Sequence, residues 1–145
     1  MDAILTAIKT ALRAAITYVA DADIVVVPHL DYIPNGTSFP CITIKDGPIL
    51  STPLMGDCNE YEYTVYISAW VTMANDELSL VGSGTTIRGL IDLVKDIESA
   101  LNNNLLSISG VQDAYCNSSE PSELFGGDRE TLSRKTITVT YEKQE

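Results

Sequence analysis

The run YEYTVYISAWV, residues 61 to 71, constrains the fold more than any other stretch of this chain. Tyr61, Tyr63, Val65, Ile67, Ala69 and Val71 alternate along it, so they share one face of a β-strand, and that face needs burial. The opposite face carries Glu62, Thr64, Tyr66, Ser68 and Trp70, polar but with two large aromatic rings that a water-facing strand seldom bears. A cover over this second face is therefore expected. A helix of the same chain could supply it, and so could a neighbouring subunit, because Tyr and Trp are enriched at interfaces.

The segments around this strand supply the rest of the fold. Residues 3 to 19 form an amphipathic helix in which Ile4, Leu5, Ile8, Leu12, Ile16 and Val19 fall in one stripe about 120° wide, with Lys9 and Arg13 on the other side. Ile24 to Val27 is a short β-branched run that Pro28 confines to an edge or an end, and IPNG at 33 to 36 is turn chemistry. Cys41 to Ile44 is a second strand, closed by KDGP. PILSTPLMGDCNE, 48 to 60, has no sustained period and is expected to project as a loop or hairpin. A second helix is expected from 85 to 101, with Ile87, Leu90, Ile91, Leu93, Val94, Ile97 and Leu101 on one face and Ser83 or Thr85 as its cap. A second polar loop spans 117 to 130. The chain then finishes on a strand in which Ile137, Val139 and Tyr141 alternate with Thr136, Thr138 and Thr140. This order predicts one α+β domain over residues 1 to 145, a mainly antiparallel sheet covered by two amphipathic helices.

Composition removes several classes of function. No apolar run approaches the ~20 residues needed to cross a bilayer, and the first residues lack the pattern of a signal peptide, so residence in the cytoplasm is the expectation. A formal charge of −11 disfavours nonspecific phosphate binding, which needs clustered Lys and Arg. The 3 cysteines, Cys41, Cys58 and Cys116, have no paired spacing and read as free thiols, two in the core and Cys58 in a loop. His29 with Asp31 lies too far from any cysteine for the close ligand pairs of structural zinc. VGSGTTIRG lacks the lysine of a phosphate loop, and Asp57 with Glu60, or Glu120 with Glu123, lacks calcium-loop spacing. No cofactor, metal or catalytic residue is expected.

The order of elements resembles the tail terminator, or tail-completion, proteins of long-tailed bacteriophages. The resemblance lies in ILTAIKTALRAAI, FPCITIKDG, PLMGDCNE, YTVYISAWV, TTIRGLIDLVKDIESAL and RKTITVTYE, almost the whole chain. It implies a non-enzymatic virion subunit, assembled in the host cytoplasm into a homohexameric ring. The ring would cap the tail tube and join it to a neck or head-completion protein, with the sheath protein as a further partner where a tail has one. DNA would pass through without specific binding. A closed ring needs two different adhesive surfaces on each subunit. Tyr66, Trp70, Leu54, Met55, Phe125 and Arg129 are the interface candidates, and Asp57, Glu60, Glu120, Glu123 and Asp128 the channel-lining ones. A neck or head-completion protein is the alternative within the same structural class. Outside it, a small monomeric binding module or assembly chaperone fits the same composition, and an enzyme resting on Cys58 or His29 comes third.

Overall fold

In a computed structural model of the chain, residues 1–72, 80–82, 89–125 and 132–145 are described. Helix α1 spans Asp2–Ala15, and a 3-10 turn at Asp21–Asp23 leads into β1, Ile24–Val26. Two long strands follow, β2 at Cys41–Pro53 and β3 at Asn59–Thr72. Helix α2, Leu90–Leu101, precedes β4 at Val111–Ser119, β5 at Glu123–Phe125 and β6 at Leu132–Gln144. The sheet runs β1-β2-β3-β6-β4, with β5 also beside β6, and β1 on β2 is its parallel pairing while the other pairs are antiparallel. The architecture is α+β, as the order of periodic segments predicts.

Both helices lie on one face of this sheet. Ile4, Ile8 and Leu12 of α1 and Leu90, Leu93, Val94, Ile97 and Leu101 of α2 share one buried cluster with Val65, Ile67 and Ala69 of β3 and Ile137, Val139 and Tyr141 of β6. The alternating apolar set of β3 thus faces the helices, each buried aliphatic side chain contributing about 1.5–3 kcal/mol. Helix α1 stops at Ala15, short of the expected Val19, with Ile16 already extended at φ −107 and ψ 96. Ile16 and Val19 stay buried nonetheless, so the apolar stripe outlasts the helix; the β-branched Ile16 and Thr17 favour extended backbone there. Gly89 occupies the N-cap of α2, whereas Ser83, Thr85 and Ile87 lie outside the described residues.

The clearest departure from the sequence reading is β2. Rather than closing at KDGP, it continues to Pro53 through a register shift between Asp46 and Ile49, and it pairs with β3 to form a long hairpin arm. Residues 48 to 53 and 59 to 60 are strand, with only 54 to 58 at the tip outside it. The bulge needs Gly47, because a Cβ there would stand 2.7 Å from the Thr64 carbonyl oxygen and 3.0 Å from the Tyr66 ring. Gly47→Ala should therefore cost about 1–3 kcal/mol in urea unfolding. An unchanged midpoint would mean that the arm can shift to make room.

Candidate functional site

The second face of β3 has no described helix over it, and its two ends differ. At the end away from the hairpin tip, Trp70 is 1% exposed and Ser68 0%. The Trp70 Nε1–H donates to Thr43 Oγ1 at 3.0 Å, and the Ser68 and Thr136 hydroxyls pair at 2.9 Å. Arg134 sits opposite Trp70 on β6, its guanidinium carbon 5.2 Å from the indole centroid. One guanidinium nitrogen, Nη1, donates to the Leu30 carbonyl at 3.2 Å and pairs with Asp31; the other, Nη2, pairs with Glu123 Oε2 at 2.7 Å. Among the described residues, the cover over Trp70 is therefore an arginine, held in place by the irregular segment between β1 and β2 and by β5. Among the described residues no helix lies over the indole, and it is 1% exposed without a neighbouring subunit. Trp70, an interface candidate from its strand pattern, is thus buried within its own chain.

Two open depressions flank Arg134. One, of about 630 Å³, lies between His29, Asp31, Lys45, Tyr66 and Arg134; the other, of about 350 Å³, lies between Tyr66, Pro121, Glu123, Thr136 and Thr138. Tyr66 borders both and stays half-buried, a position open to contact. His29 Nδ1 accepts the Asp31 N–H at 3.1 Å, which gives the histidine a turn-forming role.

Toward the hairpin tip the same face turns acidic. Glu62, Glu142 and Asp113 stand directly opposite one another across β3, β6 and β4, and like charges in register oppose one another. Tyr115 donates to Glu142 Oε1 at 3.3 Å, and its hydroxyl titrates above its ordinary value through burial first, then through Glu142, Glu62 and Asp113. At the tip Leu54 is 37% and Met55 97% exposed, beside exposed Asp57.

The channel-lining candidates are not brought together. Asp57 and Glu60 belong to the arm, while Glu120 and Glu123 lie beside Thr136 and Arg134 at the far end of the sheet. The ten residues of β3 between Glu60 and Trp70 span roughly 33 Å. Glu123, expected as unpaired loop acid, is the partner of Arg134, and the stretch 117 to 125 holds the end of β4 and all of β5 where a loop was expected. The side chain of Phe125, and Asp128 and Arg129, lie outside the described residues. Sequence reasoning missed Arg134 as the hub of this face; its signal was a charged residue at an alternating position of a strand otherwise full of threonine.

The thiols differ in reactivity. Burial, then Asp23, pushes Cys41 up to about 12, and burial, then Glu98, pushes Cys116 up to about 11, whereas Cys58 is exposed. Iodoacetamide on the folded chain near pH 8 should therefore label Cys58 first by a wide margin, as peptide mass mapping would show, since the thiolate is the nucleophile. Labelling at Cys41 at a comparable rate would contradict its burial. Among the described residues, no three His, Cys, Asp or Glu side chains gather as metal ligands, and no helix is long and apolar enough to cross a membrane.

No protein-family model matches the chain, and no curated protein does. Among solved structures, a chain of the "Virion of native gene transfer agent (GTA) particle" is similar, with a TM-score of 0.61 and 12% identity over 97% of this chain and 94% of that one. At that identity the likeness is one of fold. From end to end, this chain has the fold of a component of a virion particle.

Proposed function

We propose that the chain is a structural, non-enzymatic subunit of a phage-like virion and, more specifically, a tail terminator that forms a hexameric ring between the tail tube and a neck or head-completion protein. The observation that carries this reading is the fold shared with a gene transfer agent virion chain over nearly the full length of both. The hairpin arm supports it. Leu54 and Met55 hold apolar surface out at the tip, away from their own core, and such a surface supplies one of the two different patches that a heterologous ring contact needs. Tyr66, at the border of the two depressions, is the candidate for the receiving patch. With Asp57 and Glu60 on the arm and the whole chain at −11, the ring presents acid that repels DNA rather than binding it.

Native mass measurement, alone and with purified tail tubes, tests the assembly. Hexamers are expected, at high concentration or on tubes, and they should strengthen with salt because like charges repel within a Debye length of ~8 Å at physiological ionic strength. Met55→Asp should weaken the ring by about 2 kcal/mol or more while leaving urea unfolding unchanged. A chain that stays monomeric at every concentration and never binds tubes refutes the reading. Binding to heads in preference to tubes would reassign it to the neck.

A further inference from the structure

We propose that the outer edge of β2 within the hairpin arm, Ile49 to Pro53, accepts an extended, basic segment of another protein as an added strand. The inference goes beyond the virion reading and does not depend on it. It starts from the ends of the sheet. On β4, the Ala114 carbonyl accepts the Asn103 N–H at 2.9 Å, and the Cys116 N–H donates to Asn102 Oδ1 at 3.2 Å, so the segment after α2 caps that edge. On β1, the Ile24 carbonyl accepts from Arg13 Nη2 at 3.0 Å. These caps are what a sheet uses to prevent edge pairing. Among the described residues, the arm has no equivalent.

The ladder shows which groups are open. The Val27 N–H reaches the Ile44 carbonyl, and β1 pairs with β2 no further than Ile44. Asn59 exchanges hydrogen bonds with Glu145 at 2.7 and 2.9 Å, so its backbone faces β6. By alternation Glu60 and Glu62 then face their partners Thr52 and Leu50 on β2, and Ile49 and Ser51 turn their N–H and C=O groups outward. Nothing among the described residues pairs with these outward groups. The side chains around them are half apolar: Ile49 is 49% and Leu50 59% exposed, on opposite faces of the arm.

Charge selects the occupant. Residues 47 to 53 carry no charge, while the neighbouring strands supply Glu60, Glu62 and Glu142 on the face that Leu50 shares. A second copy of the arm would bring the same carboxylates together, which disfavours self-pairing. A strand with basic residues on that face and apolar ones on the other places cations beside the acids and packs on Ile49. Backbone pairing with alternate side-chain selection is the usual logic of strand addition.

Amide NMR on the full chain tests this with a short peptide alternating Lys and Val, and with a Glu/Val peptide as control. In the free chain the Ile49 and Ser51 amides should exchange quickly and those of Leu50 and Thr52 slowly. Saturating Lys/Val peptide should slow Ile49 and Ser51 about tenfold or more, and the Glu/Val peptide should not. Ser51→Pro removes an outward N–H, which an edge tolerates, and should weaken binding about tenfold while Leu50 and Thr52 stay protected. If that variant does not fold, Ile49→Lys, a charge on the edge, should have the same effect. Absence of any shift at 49 to 53 at about 1 mM peptide overturns the proposal, a concentration at which even weak complexes are visible. Equal binding of the two peptides, or binding unaffected by the edge variants, also overturns it. Protection of Ile49 and Ser51 that grows with protein concentration alone would mean self-pairing and refute the foreign strand.

Discussion

Trp70→Ala should cost about 3–5 kcal/mol of folding stability, the range for truncating a large buried aromatic. The indole is 1% exposed, donates to Thr43 and lies beneath the Arg134 guanidinium, so its loss opens a cavity and leaves the Thr43 hydroxyl without its donor. Against a total stability of about 5–15 kcal/mol, the variant would be near the edge of folding. Because Trp70 is the only tryptophan, unfolding must be followed by far-UV circular dichroism. Trp70→Phe keeps most of the apolar volume and should recover over half of the loss. A cost below about 1 kcal/mol, typical of a surface site, would show that the ring is not part of the core.

Arg134→Ala should be the next most damaging substitution, at about 2–3 kcal/mol. The estimate is held down because Asp31 and Glu123 are half exposed, with side chains 53% and 54% accessible, and solvent screens both pairs. What remains is the partly buried bond to the Leu30 carbonyl and the lost cover of the Trp70 face. The effect should also be local: amides of residues 28 to 40 should exchange faster in the variant, while those of β3 and β6 keep their protection. Arg134→Lys should fall between the two, since one ammonium cannot reach Leu30, Asp31 and Glu123 together. Combined with Trp70→Ala the losses should be less than additive, because each removes what the other packs against. Strict additivity would argue that the two side chains act separately.

Part of this was legible in the sequence for a simple reason. The helix-facing sides of β3, β6, α1 and α2 each repeat at the period of their own element, and one local pattern suffices to read each of them. The cover of the second face has no such pattern. Arg134 and Asp31 are 103 residues apart, and the segment that carries Leu30 and Asp31 is irregular, with turns where a helix or strand would show a period. The arm was hidden differently. Its strand is interrupted by Gly47 and Pro48, and the register shift there breaks the alternation, so Ile49 to Pro53 resembles a loop until Tyr63 to Asn59 is laid beside it. The edge caps of β4 and β1 rest on the Asn103 backbone and on side chains of Asn102 and Arg13 that sequence gives no reason to single out.

The pairing of β3 with β6 also decides how the chain carries force. All 13 residues of β6 pair with β3, from Leu132 opposite Thr72 to Gln144 opposite Glu60. A pull along the arm from its tip runs parallel to these strands, so it loads the whole ladder in shear at once and cannot open it one bond at a time. Tension applied across the arm would meet the ladder from Ile49 to Pro53 on one side of β3 and the ladder to β6 on the other. Load therefore runs through one uninterrupted strand pair, and the interruption beside it is the bulge on β2 between Asp46 and Ile49.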